Sequence, residues 1–393
     1  MSMTSEFSRF PKEWQVLPFL DVFTDVTSKG IKVKKEDYDS NGVLPVVDQG
    51  QKLYGGYTAK ENKVVGVELP AIIFGDHTKV FKLISDDFAI GADGVKLLSP
   101  KIEADKKFLF FYLNQLELED AGYSRHYKFL KETYIPLPPL ETQKQIAAVL
   151  EKADQLRKDC KLMEQELNSL AQSVFIDMFG DPVTNPKGWE VGDFGDGIEY
   201  IGDIGSNGSN DNISKNLKMS SEENYAVMIR TTNLNVNDFT KNLKYVSEET
   251  YNYFSKSKIY GGEIIMNKIG SAGKFWMMPD LNRPVSLGLN QLMIRLSSLN
   301  SWYVYYYLST NYAQMIINSK TRGATTKSIT KAAVKSIPIM LPPINQQEKF
   351  AVAIEKINLQ ITEGKNELNM VNDMFNSLMQ KAFKGELKLE AVA

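Results

Sequence analysis

The chain has 393 residues, of which 43% are hydrophobic, so it is long enough for two or three domains with cores of their own. Its formal net charge is −2, and its single cysteine, Cys160, excludes an intramolecular disulfide framework and favours a reducing compartment. Residues 1–10 lack an apolar segment of signal-peptide length, and no run of residues approaches the length of a membrane span, so we expect a soluble cytoplasmic protein.

The first predicted globular part covers residues 1–136. Short strand-like runs at residues 44–47, 71–74 and 95–98 are bounded by turn residues. An aromatic segment at residues 106–117 predicts a short helix after these strands. This succession indicates a mixed α/β domain.

A long helix is predicted for residues 137–181. Pro138 and Pro139 end the preceding strand and cannot lie inside a helix, so the helix begins just after them. Apolar residues then recur at steps of three and four from Ile146 to Val174, which is typical of a coiled-coil seam. A Gly-Asp-Pro sequence at 180–182 marks the end of the helix.

The second predicted globular part, residues 182–340, has the same mixed pattern. It contains strand-like runs at residues 226–230, 263–266 and 291–296. An aromatic segment at residues 300–317 again predicts a helix. The fold class is therefore α/β (α+β) in both globular parts.

A second long helix is predicted for residues 341–393. A double proline again precedes it, and its apolar repeat is interrupted only at Gly364. Gly385 marks its end.

The two halves share motifs in register. Aligned on Leu137 and Leu341, the matches are Pro138 with Pro342, Pro139 with Pro343, Gln143 with Gln347, Ala147 with Ala351, Glu151 with Glu355, and Lys152 with Lys356. A Pro-Lys-x-Trp sequence also recurs, at residues 11–14 and 186–189. Each half is therefore expected to be one globular domain followed by one long helix, which makes a pseudo-twofold internal repeat.

The two long helices are expected to pair with each other as an antiparallel coiled coil within the chain; a coiled coil between chains is the alternative. Each helix would measure about 57 Å. The positions predicted for the helix-pairing core are Ile146, Leu156, Met163, Leu167, Leu170, Ile354, Ile357, Ile361, Leu368, Phe375 and Leu378. Cys160 lies on the same seam and is expected to be a core residue.

The two helices are not equal in their internal spacing. Gln143 and Ser169 are 26 positions apart, whereas the matching residues Gln347 and Ser377 are 30 positions apart. The tail of the second helix thus lies about one turn further along. We therefore expect the pseudo-twofold symmetry to be imperfect in the helices.

Residue patterns for catalysis are scarce. His77 and His126 are the only histidines, which nearly excludes triads and His-based metal sites. The segment Gly-Ser-Ala-Gly-Lys at 270–274 lacks the first glycine and the final Ser or Thr of a phosphate-binding loop. An independent enzyme is therefore not expected.

A basic segment indicates a binding function. Between Lys256 and Lys335 there are 11 basic residues, and only Glu263 and Asp280 are acidic. A phosphate backbone is a suitable partner for such a segment, although a solvated basic surface would explain the same composition.

Polar loops that follow the predicted strands are the candidate nucleic-acid contacts, because Arg, Lys, Asn and Gln can read base edges in the major groove. In the first half the candidates are Gln49, Gln51, Lys52, Tyr54, His77, Lys79, Arg125, Tyr127 and Lys128. In the second half they are Arg230, Thr232, Asn233, Lys268, Ser271, Lys274, Asn290, Arg322, Thr325, Thr326 and Lys327. No catalytic or metal-binding residue is predicted.

Five segments are distinctive in combination. They are Leu-Pro-Pro-Leu-Glu-Thr-Gln-Lys-Gln-Ile-Ala (137–147), Phe-Gly-Asp-Pro (179–182), Pro-Lys-Gly-Trp (186–189), Leu-Pro-Val-Val-Asp-Gln-Gly (44–50) and Ile-Phe-Gly-Asp-His-Thr (73–78). Together with the internal repeat, they resemble the specificity subunit of Type I restriction–modification systems. The resemblance covers essentially the whole chain.

The resemblance implies a division of labour. Residues 1–136 and 182–340 would be target recognition domains, each reading one half of an asymmetric bipartite site in double-stranded DNA. The helices, 137–181 and 341–393, would set the spacing of the half-sites and dock two methyltransferase subunits. This subunit would have no catalytic activity and no cofactor. The methyltransferase partners would use S-adenosylmethionine, and restriction or translocase subunits would use ATP and Mg²⁺. No membrane partner is implied.

Two other interpretations stay open from the residues alone. One is a coiled-coil scaffold that organises a protein complex without recognising DNA. The other is a Mg²⁺-dependent nuclease that would use Asp48, Glu61 and Lys63.

Overall fold

The computed structural model describes residues 10–59, 63–64, 66–119, 122 and 124–389. The chain divides into a first unit, formed by Met1–Leu162 with Gly364–Ala393, and a second unit, formed by Met163–Glu363. Each long helix therefore contributes one part to each unit. The absence of a signal-peptide-like segment is predicted for residues 1–10, of which residues 1–9 lie outside the described residues.

The first unit is built from short strands and helices. Its strands are β1 (Gln15–Pro18), β2 (Phe23–Asp25), β3 (Lys32–Val33), β4 (Leu44–Val47), β5 (Gly56–Thr58), β6 (Ala71–Gly75), β7 (Phe81–Ile84), β8 (Ala89–Gly91), β9 (Val95–Pro100) and β10 (Tyr134–Leu137). Its helices are α1 (Phe19–Val22), α2 (Lys106–Asn114), α3 (Tyr127–Leu130) and the first part of the long α4 (Leu140–Phe179).

Sheets of mixed direction form the globular part of this unit. Among the described residues, one sheet has the order β2-β9-β6-β7 and is antiparallel throughout. The other has the order β3-β8-β4-β5, in which β8 runs parallel to both β3 and β4. The first strand, β1, pairs antiparallel with the last, β10, and Gln15 lies opposite Leu137. This pairing brings the start of the globular part beside the point where the long helix begins.

The second unit has a similar inventory. Its strands are β11 (Val191–Asp193), β12 (Ile198–Gly202), β13 (Ala226–Ile229), β14 (Lys244–Val246), β15 (Lys258–Ile259), β16 (Ile264–Asn267), β17 (Ile269–Gly270), β18 (Phe275–Met277), β19 (Val285–Leu287), β20 (Gln291–Leu296), β21 (Lys327–Ser328) and β22 (Pro338–Met340). Its helices are α5 (Asn210–Asn216), α6 (Thr231–Val236), α7 (Glu248–Tyr253), α8 (Ser301–Ser309), α9 (Asn311–Lys320), α10 (Lys331–Lys335) and the first part of α11 (Ile344–Lys384).

The sheets of the second unit repeat the topology of the first. The order β12-β20-β16-β18 corresponds to β2-β9-β6-β7, and β14-β13-β19 corresponds to β5-β4-β8. The fourth strand of the second sheet differs, because β15 runs antiparallel to β19 whereas β3 runs parallel to β8. The pair β13–β19 is parallel, as β4–β8 is. Strands β11 and β22 pair antiparallel at the start and end of the globular part of this unit, as β1 and β10 do in the first. The mixed α/β class and the internal repeat are therefore confirmed.

The double prolines precede the long helices, as predicted. Helix α4 has 40 residues and begins directly after Pro139, and α11 has 41 residues and begins directly after Pro343. Helix α11 continues through Gly364 without interruption.

The aromatic segment at residues 300–317 differs from its prediction as one helix. It forms two helices, α8 and α9, which are separated at Thr310. Thr310 has extended backbone angles, and its side chain accepts a hydrogen bond from the Ala313 backbone. A threonine in this conformation caps the start of a new helix and ends the preceding one.

The long helices pack against each other and against the aromatic helices in both units. In the first unit, the guanidinium of Arg157 lies 4.1 Å from the ring centre of Phe375, and the ring of Phe383 lies 5.4 Å from that of Phe108. In the second unit, the Phe175 ring lies 5.7 Å from Phe350 and 5.8 Å from Tyr303. The start of each helix thus meets the end of the other, which confirms an antiparallel pair.

The buried face of α4 differs from the predicted seam. Ile146 is buried and Leu167 is partly buried, but Leu156, Met163 and Leu170 are 41%, 53% and 48% exposed. Their neighbours Arg157, Glu164 and Ala171 turn toward the interior instead. On α11, the predicted positions Ile354, Ile357, Ile361 and Phe375 are buried, and Leu368 and Leu378 are partly buried. Cys160 is buried.

The physical reason lies in two parallel stripes on α4. Val149, Leu156, Met163 and Leu170 recur every seven residues, so they look like a coiled-coil position. The adjacent stripe contains Arg157 and Glu164, which sequence periodicity counts as surface residues. Arg157 is nevertheless accommodated inside, because its guanidinium stacks on Phe375 and bonds Asp154 at 2.6 Å.

Within the part of the chain that is described, no helix combines the length and the apolar character needed to span a bilayer.

Candidate nucleic-acid interface

Polar loops of the second unit meet around the buried side chain of Asn267, the last residue of β16. Its Oδ1 accepts a hydrogen bond from the Thr231 hydroxyl at 2.8 Å, and its Nδ2 donates to Ser271 Oγ at 2.6 Å. Its backbone N–H donates to the Lys274 carbonyl at 2.8 Å. Asn267 therefore fastens the loop after β13 to the loop between β16 and β18.

A third loop joins this cluster through Gln291. This buried side chain donates to the Thr231 hydroxyl at 3.3 Å and accepts from the Gly288 N–H at 3.1 Å. Leu289 and Asn290 form the turn between β19 and β20, and the Asn290 carbonyl accepts from the Lys268 N–H at 2.7 Å. Asn290 has a φ of 63°, the left-handed region that asparagine tolerates.

A short ladder adds the segment 322–328. Strand β17 pairs antiparallel with β21, and the Ile329 N–H donates to the Lys268 carbonyl at 2.9 Å. The side chains that this segment exposes are those of Arg322, Thr325, Thr326 and Lys327. A basic segment is thereby attached to the end of a sheet.

Lys268 and Lys331 share the carboxylate of Asp203. Lys268 Nζ lies 2.6 Å from Oδ2, Lys331 Nζ lies 2.8 Å from Oδ1, and the Ser206 hydroxyl donates to Oδ1 at 2.7 Å. Burial opposes ionisation of Asp203, but these hydrogen bonds outweigh it and hold the pKa of the carboxyl far below its usual range. Lys268 is thus an anchor of its loop in addition to being a candidate phosphate contact.

The structure brings the predicted residues of the second half into one cluster. Those with exposed side chains are Thr232, Ser271, Lys274, Asn290, Arg322, Thr325, Thr326 and Lys327. Arg230 and Lys268 are partly buried. Asn233 is buried, and its side chain bonds the Arg230 N–H and the Lys241 carbonyl, so it holds the loop rather than facing outward.

In the first unit, the buried Asp76 makes the two backbone hydrogen bonds that Lys268 makes in the second. It lies just after β6, and its backbone bonds Gly94 at 2.7 Å and His126 at 2.8 Å. Its carboxylate accepts from the Tyr127 N–H at 2.8 Å. The turn after β6 is therefore joined both to the turn between β8 and β9 and to the segment 124–128.

The loop after β4 is fastened to the same place. The Thr78 hydroxyl donates to the Gln49 carbonyl at 2.6 Å, and the buried Lys82 ammonium donates to the Asp48 carbonyl at 2.7 Å. Burial lowers the pKa of Lys82, although the charge of Asp48 counteracts part of this shift. Gln49 Oε1 also accepts from the His77 N–H at 3.3 Å.

The predicted residues of the first half also come together, with different exposures. Gln51, Lys52, Arg125 and Lys128 are exposed, and Gln49, Tyr54, His77, Lys79 and Tyr127 are partly buried. The ring of Tyr127 packs edge-on against Phe19, and Lys96 lies 4.9 Å from its centre. Burial, with the charges of Asp25 and Asp76, raises the pKa of Tyr127 to about 12.

The residues of the nuclease interpretation have other partners where they are described. Asp48 faces Lys82 at 3.6 Å, and Lys63 pairs with Asp87 at 2.9 Å. Glu61 lies outside the described residues. Among those residues, no group of three His, Cys, Asp or Glu side chains is placed to hold a metal ion.

Sequence reasoning named Asp76 among the polar residues after the strands and Asn267 among those interleaved with the basic segment. It did not predict that these two residues, or Asp203 and Gln291, would be buried and hold the loops. Two of them carried a usable signal. Asp76 and Asn267 are each the first polar or charged side chain after a run of buried residues: Asp76 follows β6, and Asn267 is the last residue of β16. Such a residue must find partners in the neighbouring loops, because a buried polar group without a hydrogen bond is costly.

Known proteins are similar to this chain in sequence and fold. Residues 11–172 and 186–370 match the family model described as the Type I restriction modification DNA specificity domain. The Type I restriction enzyme MjaVIII specificity subunit of Methanocaldococcus jannaschii is 20% identical, over 97% of this chain and 95% of its own length. The MjaIX specificity subunit of the same organism is 24% identical over 66% of this chain and 62% of its own length.

One solved structure has a similar fold. The crystal structure of the Type I restriction–modification system S subunit from M. genitalium aligns with a TM-score of 0.59 and 16% identity, over 94% of this chain and 96% of that one. The family model matches most of this chain and covers both units. The protein therefore belongs to the family of Type I restriction modification DNA specificity domains and is a specificity subunit of that kind.

Proposed function

We propose that each unit of this specificity subunit reads one half of an asymmetric, gapped sequence in double-stranded DNA. The observation that carries the proposal is the equivalence of the two loop clusters. In both units, the residue that follows the equivalent strand, Asp76 after β6 or Lys268 after β16, uses its backbone to bond two other loops. These are the turn before β9 or β20 and the segment 124–128 or 322–329. The scaffold repeats whereas the exposed residues differ, so the two half-sites should differ in sequence.

The electrostatics of the second unit support contact with DNA phosphates. Of the two acidic residues between Lys256 and Lys335, Glu263 is buried and bonded to Arg295 at 2.6 Å. The exposed cations Lys274, Arg322 and Lys327 lie on loops of the cluster. Positive side chains on loops at a sheet end suit a polyanion, and the neighbouring polar residues can reach base edges.

The long helices are proposed to set the spacing of the half-sites and to dock two methyltransferase subunits. Each unit exposes apolar residues on α4 that the helix pair leaves uncovered: Val149 and Leu156 in the first, Met163 and Leu170 in the second. Exposed aliphatic residues at heptad spacing suit a helical partner. The methyltransferase subunits would use S-adenosylmethionine to methylate adenines, and restriction or translocase subunits would use ATP and Mg²⁺.

A substitution on this stripe tests the docking. Leu156→Ser should lower the free energy of unfolding by no more than about 1 kcal/mol, because the side chain is 41% exposed. It should weaken co-purification with the methyltransferase subunit. Leu150→Ser is the matched contrast, since Leu150 is buried and its truncation should destabilise the fold by roughly 2–5 kcal/mol. Unchanged assembly by Leu156→Ser would place docking elsewhere.

We further propose that this subunit is not itself an enzyme, holds no cofactor and acts in the cytoplasm, where it has access to the genome. The residues of the nuclease interpretation are engaged by Lys82 and Asp87 where they are described, which supports a non-catalytic role. The scaffold interpretation is not favoured by the family. Magnesium-dependent cleavage by the purified chain alone would contradict the proposal.

The experiment that tests independent readout is a domain exchange. Residues 11–136 would be replaced by the corresponding segment of a relative, and the chain would be assembled with its methyltransferase subunit. The methylated motif should then change in one half only. A change in both halves would show that the units do not read DNA independently.

A further inference from the structure

Two aliphatic side chains are exposed at the centre of the polar loop cluster of the second unit. Leu289 is 47% exposed and Ile269 is 38% exposed. Their backbones are neighbours, because the Ile269 N–H donates to the carbonyl of Asn290, the residue after Leu289, at 3.3 Å. Single exposed leucines are common on protein surfaces, but these two lie together within a cluster of otherwise polar loops.

The turn that carries Leu289 is held rigidly. Gly288 is buried, and a Cβ at this position would collide with the Ile229 carbonyl. The side chain of Gln291 accepts from the Gly288 N–H, and Asn290 adopts a positive φ. Leu287, on the other side of Gly288, is fully buried. The outward position of Leu289 is therefore fixed by the fold, not by a mobile loop.

The residues around Leu289 and Ile269 indicate which kind of partner this patch binds. Lys268 directly precedes Ile269, Lys274 follows it by five residues, and Lys327 pairs with Gly270 on the adjacent strand. A protein partner needs about 800 Å² on each side for a stable interface, far more than two aliphatic side chains supply. Cations around a small apolar patch match a DNA groove, in which phosphates border an apolar thymine methyl group.

We propose that Leu289 and Ile269 contact C5-methyl groups of thymine in the major groove and thereby determine specificity. This inference rests on the proposed function, since it requires the second unit to read a half-site. The methyl group is the only apolar feature on the major-groove edge of the bases. It follows that the half-site of the second unit contains at least one A·T pair that is read by apolar contact.

Removal of single thymine methyl groups tests the inference. Each thymine of the methylated motif is replaced in turn by deoxyuridine, which lacks only the C5-methyl, and binding is measured with the full chain assembled with its methyltransferase subunit. For the unsubstituted protein, one or two replacements, all in one half-site, should weaken binding about fourfold per methyl. Leu289→Ala or Ile269→Ala should abolish that difference at one of these positions.

A matched control uses Val191, an exposed aliphatic residue of the second unit on β11, outside the loop cluster. Val191→Ala should retain the full difference between thymine and deoxyuridine. The inference is overturned if no thymine of the half-site that persists after exchange of residues 11–136 shows the deoxyuridine effect. It is also overturned if Leu289→Ala and Ile269→Ala both keep the difference. If these variants assemble less well with the methyltransferase but keep the ratio of thymine to deoxyuridine binding, the two side chains contact protein and the inference is wrong. Failure of the unsubstituted complex to prefer any gapped duplex would refute the proposed function itself.

Discussion

Gln143 and Gln347 make the same two hydrogen bonds, each in its own unit. The Oε1 of Gln143 accepts from the Asp105 N–H at 2.9 Å, and its Nε2 donates to the Pro138 carbonyl at 2.8 Å. The Oε1 of Gln347 accepts from the Asn300 N–H at 2.9 Å, and its Nε2 donates to the Pro342 carbonyl at 2.8 Å. Each glutamine fastens the first turn of a long helix to the N-cap residue of an aromatic helix.

Truncating either glutamine should loosen this junction in its own unit only. Gln143→Ala leaves the Asp105 N–H and the Pro138 carbonyl without a partner, so it should cost about 2–3 kcal/mol. Hydrogen exchange should show faster exchange at the Asp105 amide in Gln143→Ala and at the Asn300 amide in Gln347→Ala. Gln145→Ala, at an exposed position one residue beyond Lys144, should change neither amide. Equal effects of all three would mean that the hydrogen bonds are not structural.

Two glycines that end the long helices should resist substitution, whereas one inside a helix should not. Gly180 and Gly385 have φ values of 85° and 73°, and a Cβ would collide with Pro186 or Pro11. Alanine at either position should destabilise the protein by about 1–2 kcal/mol. Gly364→Ala should stabilise it by roughly 0.5–1 kcal/mol, because Gly364 lies within α11 with open space around its Cβ position. Urea unfolding of the three variants measures the change in the free energy of unfolding, which should fall for the first two variants and rise for Gly364→Ala.

The free energy of unfolding should depend on pH through the protonation of Asp203. Its pKa is lower in the folded protein than the unfolded value of about 3.9, so its contribution is complete above that value and declines as the pH falls below it. Asp203→Asn should cost about 2 kcal/mol at pH 7. The difference from the unsubstituted protein should remain constant between about pH 7 and pH 5 and shrink below about pH 4.

Chemical denaturation across this pH range measures the effect. Glu222→Gln, at an exposed acidic position of the same unit, should show no such dependence. A difference for Asp203→Asn that stays constant down to pH 2 would contradict the role of the shared carboxylate.

Salt titration should separate phosphate contacts from loop anchors. Arg322→Ala and Lys327→Ala should each weaken DNA binding and reduce the slope of log K against log salt by about 0.9. Lys274→Ala should behave similarly, although its ammonium also donates to Asn235 Oδ1 at 2.7 Å. Lys268→Ala should reduce stability as well, because it removes one of the two lysines that bond Asp203.

Lys349→Ala serves as the control, since Lys349 is exposed on α11 and outside the loop cluster. It should leave the slope unchanged. An unchanged slope for Arg322→Ala and Lys327→Ala would mean that these side chains face solvent in the complex.

The long helices were predictable because two strong local signals agree, a double proline and an apolar period sustained over four heptads. The seam of α4 was not, because sequence periodicity favours Leu156 and Met163 over Arg157 and Glu164. Only the approach of Phe375 shows that Arg157 can lie inside. Val149, Leu156, Met163 and Leu170 stay exposed because the adjacent residues of α4 face the interior, and they form the proposed docking surface.

The loops of the candidate interface were predictable as polar segments after apolar strands. Their internal organisation was not, because it depends on residues that are distant in sequence. Thr231 meets Asn267 across 36 positions, and Lys268 meets Asp203 across 65. A composition-based prediction also treats every lysine alike, whereas the fold assigns Lys268 and Lys331 to one buried carboxylate and leaves Lys327 exposed.

The most direct test of two-unit readout is a map of methyladenine across the genome of the host. The repeated scaffold with differing exposed residues predicts one motif with two unequal specific parts, separated by a gap of fixed length. Deletion of the gene for this chain should remove that motif and no other. A continuous palindrome, or a motif that survives the deletion, would contradict the account.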